Sequence, residues 1–141
     1  MALAALVAAV TASAHTGVQN DDVLERMEGM SAIAKEMKTI GEMAKNEAPF
    51  DSDAVESALS TIGAEAERIP YLFTPRAMDP KSEATPAIWE DFDDFTTKAD
   101  TLGAVAEALS GHVSTASDLV PLMREIGQTC RACHSQYRVS N

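Results

Sequence analysis

Residues 22–45 read DVLERMEGMSAIAKEMKTIGEMAK, and in them Val23, Met27, Met30, Ala34, Met37, Gly41 and Ala44 fall at alternating steps of four and three. Side chains at that spacing line one stripe of a helix, the seam by which it packs in a bundle. Glu25, Lys35, Glu36, Lys38, Glu42 and Lys45 lie mostly off the stripe. The segment predicts a helix over 22–45, ended by residues 46–49 because Pro49 cannot continue it. Working outward, Val55, Leu59, Ile62, Ala66 and Ile69 repeat the spacing and predict a second helix, capped by Asp51 or Ser52 and stopped at Pro70. Residues 70–85 carry Pro70, Pro75 and Pro80 and predict the one long loop, anchored by Tyr71, Leu72 and Phe73. Thr85-Pro86 opens a third helix, with Glu90, Asp91, Asp93 and Asp94 suiting its dipole. Ile88, Phe92, Phe95, Ala99 and Leu102 form its apolar face, to about residue 110. After a turn over 111–117, a fourth helix runs through Leu122, Ile126 and Cys130 to about residue 138. No stretch reads as a convincing strand. The expected fold is all-α, an antiparallel up-down four-helix bundle.

The bulk properties agree. A chain of 141 residues suits one domain. It is 45% hydrophobic but only 5% aromatic, a mixture that favours helices over strands. A net charge of −11 argues against nucleic acid and anionic membrane surfaces as partners. The tail is locally basic, with Arg124, Arg131 and Arg138 against Glu125 alone. Residues 1–14, MALAALVAAVTASA, are apolar and end in an A-x-A pattern, so they read as a signal peptide. They lack a basic start, which places the expected natural start further upstream. The functional domain is then 15–141, an exported, periplasmic and soluble protein with no membrane span.

Chemistry concentrates in Cys130-Arg131-Ala132-Cys133-His134. Two thiols three residues apart stand on one side of a helical turn, where they can reach the two vinyl groups on one porphyrin edge. The adjacent histidine supplies an imidazole for iron, and the whole pattern is the attachment signal of haem c. Other readings fit less well. A thioredoxin-like pair opens a helix after a strand, a zinc site needs four ligands with only His112 and His15 left as nitrogen donors, and a plain disulfide leaves His134 idle. His15, N-terminal after cleavage, is a weak copper-binding candidate. A structural helical bundle without haem is the remaining alternative. No set of acid, base and nucleophile suggests an enzyme.

CRACHSQYR at 130–138 in the last helix, NEAPFD at 46–51 and PAIWEDFDDF at 86–95 resemble the cytochromes c'. The resemblance covers most of the chain after the leader and is strongest at its end. It implies one covalently attached haem c near the C-terminus, held by thioethers to Cys130 and Cys133, with His134 as the proximal iron ligand. The family divides over the other side of the iron. High-spin members place a non-ligating residue there and bind nitric oxide or carbon monoxide. Low-spin c-556-type members place a methionine ligand of helix one there and carry electrons.

Counting back from Pro49-Phe50-Asp51, Met30 falls at that distal position, with Met27 the next candidate. The resemblance thus implies an electron carrier with His134/Met30 ligation; the alternative keeps Met30 as packing beside an open, gas-binding iron. Arg26, four residues before Met30, matches an arginine near a haem propionate, or is an ordinary surface cation. Arg138 matches an arginine beside the proximal histidine at the haem edge, or complements the helix C-terminus. Trp89, Phe92 and Phe95 are expected in the core and His112 in solvent. An exposed haem edge beside Arg124, Arg131 and Arg138 would dock an acidic redox partner, and the resemblance leaves open a homodimer through the first two helices.

Overall fold

Asn20 starts the first helix by accepting the Val23 amide at 3.1 Å, with Asp21 and Asp22 in the turn that follows. In the computed structural model, which describes residues 17–139, this helix is α1 (Asp21–Ala44). It ends at Asn46, whose φ of 59° lies in the left-handed region that asparagine tolerates. Asp51 rather than Ser52 caps α2 (Ser52–Leu72), accepting the amides of Asp53 and Ala54. This helix does not stop at Pro70. The proline falls in the last turn, where its missing N–H costs one bond to Ala66, and Phe73 still donates to Ile69 at 3.2 Å.

The expected third helix is two. A short α3 (Ala87–Glu90) breaks at Asp91, and α4 (Phe92–Leu109) begins anew. Asp91 accepts the Asp94 amide at 3.3 Å, so the acidic run marks a second N-terminus inside the stretch. Gly111, at φ 75°, turns the chain after α4. A 3-10 turn at Ala116–Asp118 with a Thr115–Asp118 capping box then leads into α5 (Leu119–Tyr137). Among the described residues no strand forms; Ala84 and Arg138 make a single isolated bridge.

The long helices pack in a ring: α1 on α2, α2 on α4, α4 on α5, and α5 back on α1. This is the antiparallel four-helix bundle. The α2–α4 pair is the most intimate because small residues meet there, Gly63 facing Ala106 and Gly103 facing Ala66. The α1–α5 pair is the loosest. Two apolar clusters fill the interior. One gathers Ile40, Val55, Leu59, Ile62, Leu119, Leu122 and Ile126; the other gathers Ile69, Phe73, Ile88, Phe95, Ala99 and Tyr137.

The packing face of α1 is rotated from the expected seam. Val23, Arg26, Gly29, Ile33, Ile40, Gly41 and Met43 are buried, so Val23 and Gly41 keep their place in the expected seam, whereas Met27, Met30 and Met37 are half-buried and Ala34 is exposed. The helix is apolar on two adjoining faces, and the methionine face looks into a cleft.

Candidate haem site

That cleft has a volume of about 660 Å³, within the usual range of roughly 300–1,000 Å³ for cofactor sites. Met27, Met30, Ala34 and Met37 of α1 line one wall. Cys130, Cys133 and His134 of α5 line another, and the buried Ile69, Phe73, Ile88, Phe95 and Tyr137 belong to the same lining. The cleft lies where the two apolar clusters meet. Cys130 packs against the first, Cys133 against the second, and Met30 against both.

Local helical geometry explains the convergence on the α5 side. Positions 130, 133, 134, 137 and 138 share one face of a helix at steps of three and four, and all five side chains border the cleft. Both cysteines are free and half-buried. Burial raises both thiol pKa values, so the pair is neutral at physiological pH rather than an activated thiolate. His134 is held below the ordinary histidine value, first by partial burial of its ring and then by the Arg138 charge, against an opposing pull from Glu83. A neutral imidazole is the form that ligates metal.

Tyr137 is 3% exposed, and its Oη donates to Asp94 Oδ2 at 2.5 Å, while Lys98 pairs with the same carboxylate at 2.9 Å. Burial and that hydrogen bond hold the phenol neutral, and the phenol in turn holds Asp94 below the usual carboxylate range. Phe95 meets the Tyr137 ring edge-on at 5.3 Å between centroids.

The two arginines are engaged within the protein. Arg26 is not a surface cation: it is 4% exposed, and its guanidinium donates to the carbonyls of Leu72, Pro75 and Ala77 at 2.8, 2.5 and 2.8 Å. Arg138 caps α5 and pairs with Glu83, Nε donating at 2.6 Å. Both nevertheless border the cleft. All six residues singled out in the sequence therefore meet at one place. What the sequence reading missed are Ile69, Phe73, Tyr137 and the loop residues Lys81–Ala84. Tyr137 carried a signal, standing three residues after His134 on the same face; the loop carried none, because its placement depends on contacts distant in sequence. Residues 1–14 and His15 lie outside the described residues. Trp89 and Phe92 pack on the second cluster, and His112 is exposed.

The arrangement fits haem c. The cleft walls are apolar, two neutral thiols stand beside an imidazole, and a thioether faces them from the neighbouring helix. Among the described residues no group of three or more histidine, cysteine or acidic side chains offers a competing metal cage.

Comparison with known proteins agrees. The chain matches the family described as Cytochrome C' over residues 21–138. It is 38% identical over 118 residues to cytochrome c-556 of Agrobacterium fabrum, an alignment covering 82% of this chain and 80% of that one. Its fold matches the cytochrome c556 structure of Rhodopseudomonas palustris with a TM-score of 0.79 at 27% identity, covering 87% of this chain and 99% of that one. It matches the cytochrome c' structure from the same organism equally well, with a TM-score of 0.80 at 27% identity over the same shares of the two chains. On these matches and the geometry of its cleft, the chain belongs to the cytochrome c' family.

Proposed function

We propose that this monohaem c-type cytochrome is a periplasmic electron carrier with a low-spin haem c ligated by His134 and Met30. The observation that carries this reading is the position of Met30, which borders the cleft opposite the motif helix and packs on both apolar clusters. The 38% identity to a protein named cytochrome c-556 supports the same branch.

Haem c, when bound, supplies a one-electron couple that needs no bond made or broken. Cys130 and Cys133 would hold it on α5 through thioethers. His134 presents its imidazole, and Met30 presents a soft thioether from α1, a ligand pair that raises the haem potential. The buried Ile69, Phe73, Ile88, Phe95 and Tyr137 give the cleft an apolar lining, which lowers the local dielectric and disfavours added charge. Arg26, Lys81 and Arg138 are the cations that border the cleft; in this reading Arg26 stands near a propionate and Arg138 at the haem edge. Residues 1–14 act as the export signal, and the partner is an acidic redox protein. Pairing of two copies through α1 and α2 remains part of this reading, tested by mass in solution.

A second reading is a five-coordinate, high-spin iron that binds nitric oxide or carbon monoxide. It is favoured by the packing of Met30 itself, which suffices to explain a methionine there without ligation, and by the equal fold match to a cytochrome c'. Visible spectra of purified holoprotein, ferric and ferrous, with and without carbon monoxide, separate the two. Sharp low-spin bands indifferent to carbon monoxide are expected. A broad high-spin spectrum that shifts with carbon monoxide would transfer the assignment to gas binding. Colourless protein from cells equipped for haem attachment would remove both.

A further inference from the structure

A buried cation is costly unless its donors are used, and Arg26 uses its donors on one loop. Its three hydrogen bonds reach the last residue of α2 and two carbonyls of the proline-rich segment that follows. The guanidinium also lies 4.4 Å from the Phe73 ring centroid and 5.5 Å from that of Trp89, and Trp89 Nε1 donates to Phe73 O at 2.7 Å. No other side chain offers several diverging donors in a fixed plane; lysine offers one point charge.

The loop continues from this clamp and is tied at each end to a different helix. Asp79, 7% exposed, accepts the Gln19 and Asn20 amides at 2.8 and 3.3 Å, fastening the loop to the start of α1. Further on, Thr85 donates to Tyr137 O at 3.0 Å, Val139 donates to Glu83 O at 2.8 Å, and Arg138 pairs with Glu83. These fasten the loop to the end of α5. Between the ties, Lys81, Ser82, Glu83 and Ala84 border the cleft. The loop is a strap between α1 and α5, the two neighbouring helices that pack on each other least.

We propose that Arg26 is a positioning residue for the distal side of the haem. By clamping residues 72–77 to α1, it holds the strap across the cleft. It thereby controls how firmly α1, with Met30, is kept beside the cofactor and how freely small ligands enter. The proposal rests on the haem-site assignment but not on Met30 being a ligand.

The test compares haem-loaded wild type, Arg26→Met and Arg26→Lys. Amide exchange in residues 79–85 and the rate of carbon monoxide binding are measured together with the low-spin fraction. Arg26→Met is expected to speed exchange in the strap by at least about tenfold, since hydrogen bonds to a charged group each contribute more than that factor, and to let carbon monoxide bind where a low-spin wild type excludes it, or bind at least about tenfold faster where the wild-type iron is open. Core amides of α2 and α4 should stay protected. Arg26→Lys should recover only part. Unchanged carbon monoxide binding in Arg26→Met overturns the proposal, as does full recovery by lysine, which would make charge alone sufficient.

Should Arg26→Met not fold, Asp79→Ala removes the acceptor of the Gln19 and Asn20 amides and releases the same strap at its α1 tie without leaving a charge buried. Faster strap exchange there with unaltered carbon monoxide binding also overturns the proposal. A high-spin wild-type spectrum would sink Met30 ligation alone, and the carbon monoxide comparison would still decide the role of Arg26.

Discussion

Met30 occupies the position from which one side chain can both fill the bundle and meet a ligand. It borders the cleft and packs on both clusters, so Met30→Ala separates the two roles. With ligation, the variant's spectrum should turn from low-spin to high-spin and carbon monoxide should bind where it did not. With packing alone, spin state stays and only carbon monoxide binding accelerates. Stability should fall by about 2 kcal/mol in either case, the low end for truncating a methionine, because the residue is only half-buried. The motif at 130–134 was legible at this scale because its spacing is itself the chemistry. Arg26 was named as a site residue through the resemblance, but its burial was not legible, because its partners lie 46 to 51 residues away, beyond any local pattern. Asp94 gives a residue-scale pH prediction. Its folded pKa is depressed by the Tyr137 hydroxyl and Lys98, so its contribution is full above the unfolded value of about 4. It is lost as pH falls through the lower folded value. Asp94→Asn should therefore reduce stability near neutrality and make the acid limb of the stability–pH curve shallower. An unchanged limb would show that the pair with Tyr137 contributes nothing to acid sensitivity.

Helices that repeat one apolar stripe were legible as elements. Val55, Leu59, Ile62, Ala66 and Ile69 are all buried, as their spacing predicts for α2. Periodicity fails where an element carries two stripes or two beginnings. On α1 the methionines follow the heptad as well as the core residues do, and nothing in the pattern says which face meets the cleft. Between 86 and 110 the acidic run suits either a dipole or a cap, and periodicity continues across the break. The cap reading makes a measurable claim. Asp91→Ala removes the acceptor of the Asp94 amide at the start of α4 and should cost about 1 kcal/mol. Denaturant unfolding of the holoprotein would give that shift at constant slope. Because Tyr137 Oη also lies 3.3 Å from the Asp91 carbonyl, a loss well beyond about 2 kcal/mol would mean that the kink positions Tyr137 as well.

At the scale of the molecule the charge is unevenly placed. The chain carries a net −11, yet α5, which bears the attachment motif, holds Arg124 and Arg131 against Glu125. Arg138 is matched by Glu83, so the docking patch expected from three arginines reduces to Arg124 and Arg131, both exposed. An acidic redox partner is repelled by the whole and attracted by this face. Which effect governs the rate depends on the screening length. At low salt, roughly 0.01 M, charges within about 30 Å count, and the net charge dominates. Near 0.1 M the length is about 10 Å, and the local patch decides. Electron transfer to an acidic partner should therefore slow as salt rises above about 0.1 M. Arg131→Glu should lower the rate near 0.1 M several-fold and converge with wild type at high salt. Stopped-flow measurement across that range settles the matter. A rate that climbs steadily with salt, equally in both proteins, would mean that the acidic bulk of the molecule faces the partner and that α5 does not form the contact.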